Sequence, residues 1–170
     1  MFAHVIVGSF ADIAAQRVSF HARLSRDLND HPGTLKPFTI ITNEGNAFSG
    51  PEGLFTAPVS GTYFFVASVS KGATGMYADM MLKKDGESVS RAYASQLYSG
   101  GYTQGACHAV LHLTAGQRVW LESGRESSYY YWRGTSFTGF LLTADDRIDQ
   151  KLEREAGHRD TFGFPFGKYE

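Results

Sequence analysis

Residues 48–65 read FSGPEGLFTAPVSGTYFF, and this stretch decides the fold class of the chain. Two turn-forming clusters, at 50–53 (GPEG) and 58–61 (PVSG), enclose a short aromatic segment. Residues 62–69 (TYFFVASV) then form a run of β-formers that is apolar on both alternating faces. Such a run predicts a strand buried on both sides, either in the centre of a sandwich or beneath an oligomer interface.

The rest of the chain reads as further short strands separated by turns. Lys84-Asp85-Gly86 predicts a tight hairpin, because Asp-Gly accepts the positive φ angles of a two-residue turn. A second turn is predicted at 114–117. Turns that recur between short strands favour an all-β sandwich or jelly roll over any fold in which helices and strands alternate. The predicted strands are 19–24, 39–42, 54–56, 61–70, 77–83, 87–94, 103–113, 118–122 and 135–142.

The spacing of the aromatic residues around this stretch is similar to a family signature. Six residues separate Phe48 from Phe55, five separate Phe55 from Gly61, and Asn43 precedes Phe48 by five positions. This pattern resembles the C1q globular-head family, and the similarity extends over about residues 17–143 through segments such as GQRVWLES (116–123) and TSFTGFLL (135–142). The resemblance implies a ten-stranded C1q/TNF-like jelly roll that assembles as a homotrimer, is secreted, binds ligands and performs no chemistry.

Three positions depart from the family pattern. Pro37 stands where the leading phenylalanine of the signature is expected, with Phe38 displaced by one residue. Ala67 replaces the last aromatic residue, and Gln117 replaces a common acidic residue. The GQRVWLE variant looks more like the stand-alone C1q-domain proteins of invertebrates than the collagen-tailed proteins of vertebrates.

The chain divides into a short N-terminal arm (1–16), the jelly-roll domain (17–143) and a C-terminal tail (144–170) that we expect to be irregular or partly helical. The arm is compatible with one extra strand at 3–7. In the tail, residues 145–156 allow a weak amphipathic helix, and residues 161–169 contribute four aromatic side chains. A Gly-X-Y period is absent from the sequence, which argues against a collagen stalk within this chain.

Charge and cysteine content exclude several classes of protein. The 16 basic and 17 acidic residues give a net charge of −1, so no overall field favours nucleic acid or an anionic membrane. The single Cys107 excludes an intrachain disulfide and is predicted to be a small buried hydrophobe. Residues 1–16 make a poor signal peptide, and no run of apolar residues is long enough to span a membrane. An extracellular location is therefore implied by the resemblance alone.

Motifs for catalysis or metal binding are missing. The sequence has no G-x-S-x-G elbow, P-loop or dinucleotide-binding glycine pattern, which predicts that the protein is not an enzyme.

On a strand, His108 and His112 lie roughly 13 Å apart, too far to share a zinc ion, although a ring of their copies around a threefold axis stays open. Many relatives bind calcium near the trimer axis, but loop 94–104 carries no carboxylate, so we expect that site to be lost and no cofactor to be required. Asp79 and Asp85 remain possible ligands.

Two tyrosine-rich loops are the predicted recognition elements. Residues 125–134 (RESSYYYWRG) combine consecutive aromatic rings with arginines, which suits stacking on a sugar or gripping a peptide, and loop 94–104 contributes more tyrosines. An alternative is that strand alternation buries Tyr129 and Tyr131 in the core or the subunit seam. The candidate ligand-binding residues are Tyr130, Trp132, Arg133, Arg125, Tyr98 and Tyr102. The candidates for the core or the trimer seam are Tyr63, Phe65, Phe137, Phe140, His108 and His112.

The resemblance, taken with these loops, implies a homotrimeric, non-catalytic, lectin-like protein of innate immunity that binds carbohydrate or microbial surfaces. Assembly beyond the trimer stays open. Two alternatives are a structural protein of the extracellular matrix, assembled through its aromatic tail, and a cytokine-like ligand for a receptor.

Overall fold

The computed structural model describes residues 17–73, 76–95, 101–125 and 128–145. Over these ranges the chain is built of β-strands joined by turns, with one 3₁₀ helix at Trp132–Gly134. The strands are β1 (Ser19–Leu24), β2 (Leu28–Asn29), β3 (Phe38–Glu44), β4 (Phe48–Ser49), β5 (Leu54–Thr56), β6 (Gly61–Lys71), β7 (Tyr77–Lys84), β8 (Glu87–Ser95), β9 (Thr103–Leu113), β10 (Arg118–Ser123), β11 (Tyr129–Tyr130) and β12 (Ser136–Ala144).

Ten of these strands form two five-stranded antiparallel sheets that pack face to face. The first sheet has the order β3-β1-β12-β6-β9, and the second has the order β4-β5-β10-β7-β8. The short strands β11 and β2 pair separately at one end. The predicted all-β jelly roll of ten strands is therefore confirmed.

Each of the nine strands predicted within residues 17–143 is present, with its ends displaced by two residues or fewer. The prediction omitted β2, β4 and β11, since a strand of two residues is too short to display an alternating pattern. The predicted hairpin is also confirmed. Asp85 has φ 44° and Gly86 has φ 99°, which are the positive angles that a tight turn between β7 and β8 requires.

From Gly61 to Val69, strand β6 alternates between buried and half-buried residues. Tyr63 and Phe65 are fully buried between the sheets, as is Phe137 on the neighbouring β12. These three candidates therefore belong to the core and not to an outer seam. The other face of β6 carries Phe64 and Val66, which stay half-buried in the single chain.

Aromatic rings fill the centre of the core. The Phe20 ring lies 4.4 Å from that of Phe48 and 4.9 Å from that of Phe137, measured between centroids. Phe38 is buried and packs edge-on against Phe48 at 5.8 Å, so the aromatic residue displaced from position 37 still reaches the core. Contacts of this kind add about 0.5–1.5 kcal/mol per pair beyond the burial of apolar area.

Cys107 is buried on β9, as predicted, and burial raises the pKa of its thiol. The expected strand at 3–7, the helix predicted from 145 onward, the aromatic residues of 161–169 and Tyr98 lie outside the described residues, apart from Asp145 itself. Within the described ranges, no helix has the length and apolarity to cross a membrane.

Candidate recognition surface

The two tyrosine-bearing loops lie at the same end of the sandwich. At this end β1 finishes opposite the start of β12, and β6 finishes opposite the start of β9. In the second sheet, β7 begins here opposite the end of β8. The loops that leave β8 and β10 are therefore neighbours in space, although about 30 residues separate them along the sequence.

Side-chain contacts join these two loops. The rings of Tyr102 and Tyr131 lie 4.9 Å apart between centroids. Gln104 Nε2 donates a hydrogen bond of 3.0 Å to the carbonyl of Gly134, which fixes the start of β9 against the 3₁₀ helix. Tyr102 keeps 64% of its surface exposed, and Tyr131 is half-buried beneath it. The result is an exposed phenol ring held on a second ring.

Trp132 is held in place from several sides. Its amide donates a 2.9 Å hydrogen bond to Asp27 Oδ1, and Asp27 Oδ2 accepts a 2.7 Å hydrogen bond from the hydroxyl of Tyr129. The guanidinium carbons of Arg23 and Arg133 lie 4.7 and 5.1 Å from the centre of its ring. Because cations already stack on the indole, its half-buried ring offers a ligand less free surface than the sequence suggested.

Tyr130 is not available to a ligand, contrary to the sequence-based expectation. Its side chain is fully buried. The hydroxyl donates to the carbonyl of Asp79 and lies 2.7 Å from Ser123 Oγ. Burial raises the pKa of this phenol. Pairing of β11 with β2 turns Tyr130 inward, whereas the alternative expectation had buried its neighbours, Tyr129 and Tyr131, instead.

Arg125 lies apart from the Tyr102–Tyr131 pair, on the outer face of the second sheet. Its Nε is 3.1 Å from Oδ2 of Asp79, and its guanidinium lies against the rings of Tyr77 and Tyr93 at 5.6 and 5.8 Å. Asp79 is fully buried and also accepts a two-pronged hydrogen bond from Arg91, with Nε at 2.7 Å from Oδ1. The structure brings Arg125 together with residues that the sequence analysis did not link to it.

The outer face of the first sheet is apolar along its central strands. In the register, Phe140 of β12 is opposite Phe64 of β6, which is opposite Val110 of β9. The rings of Phe64 and Phe140 lie 5.5 Å apart, and Phe140 and Val110 are 38% and 60% exposed. His108 lies on the same face, 6.4 Å from the Phe64 ring.

His112 also lies on this outer face, where its Nε2 is 3.0 Å from Asp145 Oδ1. Both side chains are about half exposed, so this contact contributes little to stability.

Asp79 and Asp85, the two possible metal ligands named from the sequence, are both engaged by other groups. Among the described residues, no three His, Cys, Asp or Glu side chains gather closely enough to hold an ion. Both oxygens of Asp79 are already engaged by arginines, and Asp85 Oδ1 accepts a 2.9 Å hydrogen bond from the amide of Arg118. Since loop 94–104 also lacks acidic residues, these side chains do not fit the calcium that many relatives carry.

Comparison with known proteins decides the family. The model of the C1q domain matches residues 19–142, which covers both sheets from β1 to nearly the end of β12. The chain belongs to the C1q domain family.

Two relatives are about one-third identical to this chain over the aligned residues. Caprin-2 of Danio rerio is 35% identical over 134 residues, which cover 76% of this chain and 14% of that protein. Human complement C1q tumor necrosis factor-related protein 3 is 32% identical over 127 residues, covering 74% of this chain and 51% of that protein. The chain thus spans about half or less of the length of these relatives.

Solved structures of the same shape support the jelly-roll fold. The globular domain of zebrafish complement 1qA protein has a TM-score of 0.58 at 22% identity, covering 76% of this chain and 99% of that one. The Eiger TNF from S. frugiperda has a TM-score of 0.62 at 10% identity, covering 77% and 96%. At these identities the likeness establishes the fold of the C1q domain and no more.

Two residues important to this C1q domain escaped the sequence analysis as site residues. Tyr131 supports the exposed Tyr102, and Arg91 shares with Arg125 the buried carboxylate of Asp79, which the sequence had offered only as a possible metal ligand. The sequence did contain one signal for the contact between Tyr102 and Tyr131, since both loops are rich in tyrosine. The second cluster had no signal, because its members come from β7, β8 and the loop after β10.

Proposed function

We propose that this C1q domain is an extracellular, non-catalytic recognition module of innate immunity that binds carbohydrate on microbial surfaces as a homotrimer. The observation that carries the proposal is the junction of the two tyrosine loops. The exposed ring of Tyr102 packs on the ring of Tyr131. Trp132 and the exposed Arg133 follow Tyr131 directly in the sequence. An aromatic face held rigidly by packing loses little conformational entropy when a sugar ring stacks on it.

The trimer part of the proposal rests on family membership and on the outer face of the first sheet. Phe64, Phe140 and Val110 form a continuous apolar row there. Apolar rows of this kind on a soluble domain mark an interaction surface. We infer that two further copies of the chain cover this row. His108 lies beside the row, so a ring of its copies stays a prediction.

Assembly would compensate for weak individual sites. A single aromatic platform with few polar partners binds a sugar weakly, whereas three copies on one rigid trimer bind a repetitive surface with avidity. An extracellular location follows from the C1q-family resemblance and agrees with a ligand on a microbial surface.

Glycan binding by the purified chain tests the proposed site. Wild-type protein is screened on an array of microbial polysaccharides, and the strongest ligand is then titrated against Tyr102→Ala and Arg133→Ala. We expect saturable binding that weakens about tenfold in Tyr102→Ala, since an aromatic ring that stacks on a ring of its ligand contributes on the order of 1–3 kcal/mol. Arg118→Ala is the matched control, because this exposed residue lies at the opposite end of β10.

Two results would count against the proposal. Absence of saturable binding to any polysaccharide would contradict carbohydrate recognition. Binding that Tyr102→Ala and Arg133→Ala leave unchanged would keep the function but place the site elsewhere.

A further inference from the structure

The cluster around Asp79 contains more positive than negative charge at the protein surface. One carboxylate, fully buried, is shared by the guanidinium groups of Arg91 and Arg125, whose side chains are 52% and 55% exposed. Arg91 uses Nε and one terminal nitrogen for Asp79, and Arg125 uses Nε. Across the described part of the chain, the remaining N–H groups of these arginines have no second acceptor, so they face solvent ready to donate.

The buried carboxylate has a clear physical effect on the two arginines. An exposed arginine normally samples many rotamers, and binding then costs the entropy of fixing it. Here Asp79 fixes both guanidinium planes from below, and the rings of Tyr77 and Tyr93 flank Arg125. Carboxylates bind best to pre-positioned guanidinium groups because the planar N–H fork matches their two oxygens.

We propose that Arg91, Arg125 and Tyr93 form a binding site for saccharides that carry a carboxylate, on the outer face of the second sheet. This inference rests on the proposed carbohydrate recognition and assigns it a ligand class. In such a sugar the carboxylate is attached close to the sugar ring. This arrangement matches a guanidinium donor that lies next to the face of a tyrosine ring. The guanidinium of Arg125 lies 5.8 Å from the centre of the Tyr93 ring, and Tyr93 remains 46% exposed. An acidic peptide carries its carboxylate on a flexible side chain without a ring to stack, so the geometry favours the sugar.

Charged neighbours on the described strands do not cancel the site. On the same face, Glu122 and Lys83 pair with each other at 3.8 Å, and Glu122 also accepts a hydrogen bond from the indole nitrogen of Trp120. Among the described residues of the cluster, the two arginines and Asp79 carry one net positive charge. That charge selects for an acidic ligand and makes its binding sensitive to salt.

Calorimetric titration with paired probes tests this site. The probes are 3′-sialyllactose and a galacturonate tetramer, each compared with its methyl ester, which keeps the sugar rings and removes the charge. We expect the acids to bind at least about tenfold more tightly than the esters, and we expect this preference to vanish in Arg125→Gln. Arg125→Gln keeps Asp79 paired with Arg91, so it should fold, which a thermal melt checks. Arg118→Gln removes the same charge at the far end of β10 and should retain the preference.

The possible outcomes separate this inference from the broader proposal. If acids and esters bind alike, and both lose affinity in Tyr102→Ala, the acid site is overturned while carbohydrate recognition stands. If neither probe binds but a glutamate-rich peptide does, the inference is also overturned. Equal loss in Arg125→Gln and Arg118→Gln would mean that only overall charge matters, which again contradicts a built site. If Tyr93→Leu weakens the binding of acid and ester alike but keeps the preference for the acid, the result would support separate roles for the Tyr93 ring and the Arg125 guanidinium.

Discussion

At the scale of single residues, Tyr130 shows how a phenol that looks like a ligand contact becomes part of the framework. Its hydroxyl bonds the backbone of β7 at Asp79 and meets Ser123 at the end of β10. The same Asp79 holds Arg91 and Arg125 through its side chain. Tyr130 therefore supports the charged cluster from inside the domain without touching solvent.

Removing the Tyr130 hydroxyl should destabilise the fold. Tyr130→Phe removes one buried hydrogen bond to the Asp79 carbonyl, which keeps its 2.7 Å hydrogen bond from the amide of Gly124, so the loss should be about 0.5–1.5 kcal/mol. Urea unfolding measures the loss. Tyr102→Phe is the control, since its exposed hydroxyl should matter by less than about 0.5 kcal/mol. Equal stability of Tyr130→Phe and wild type would contradict the framework role.

Alkaline pH should destabilise the domain through two buried phenols. Burial raises the pKa of both Tyr63 and Tyr130 above the ordinary value of 10.0. The unfolded chain therefore loses these protons first, so stability is fully present below about pH 10 and falls as pH rises above it. Thermal melts between about pH 8 and pH 11 measure this loss. In Tyr130→Phe the decline should be shallower, and an unchanged decline would exclude Tyr130 as a contributor.

At the scale of elements, strand β12 depends on a glycine between two rings. A Cβ atom built on Gly139 would lie 2.6 Å from ring carbons of both Phe20 and Phe65. Neither ring can move freely, because each is fully enclosed by the other aromatic residues of the core. The close approach of β12 to the core therefore requires glycine at this position.

Gly139→Ala should destabilise the domain by about 1–3 kcal/mol, the usual cost of adding a methyl group to a filled core. Chemical denaturation measures the change. Thr143→Ala, at an exposed position near the end of the same strand, should change the free energy of unfolding by less than about 0.5 kcal/mol. A Gly139→Ala variant as stable as Thr143→Ala would mean that the rings at Phe20 and Phe65 relax without cost.

At the scale of the whole molecule, the outer face of the first sheet is the surface that assembly would cover. Light scattering behind size exclusion should give three times the chain mass of 18.7 kDa. Phe140→Glu should yield a folded monomer, because it buries an unpaired charge in the seam but not in the core. Met76→Glu, an exposed apolar position in a loop, should remain trimeric. A trimer that tolerates Phe140→Glu would place the seam elsewhere.

Chelation should leave this assembly intact. Loop 94–104 has no acidic residue, so we expect no calcium to hold the subunits together. The mass measured with excess EDTA should equal the mass without it. A fall to the monomer on chelation would show that a metal site exists despite the missing carboxylates.

The sequence predicted the fold better than the site, and particular residues explain why. The run of β-formers at 62–69 is a local pattern that identifies a strand, but because it is apolar on both faces it left open which face is buried in the core. Asp85-Gly86 identified a turn for a similar reason, since its positive φ angles are a property of those two residues. By contrast, Tyr130 lies in a two-residue strand. Which of its two side chains faces the core depends on pairing with Leu28, about a hundred positions earlier.

The sequence by itself determined the strands and the membership of the C1q domain family, because both follow from residue spacing and local conformational preference. Only the tertiary structure decided which loops meet. It placed Tyr102 against Tyr131, turned Tyr130 inward and brought Arg125 to Asp79 and Tyr93. The physical reason is that a binding surface is made by contacts between distant segments, and their geometry is fixed by how the two sheets pack.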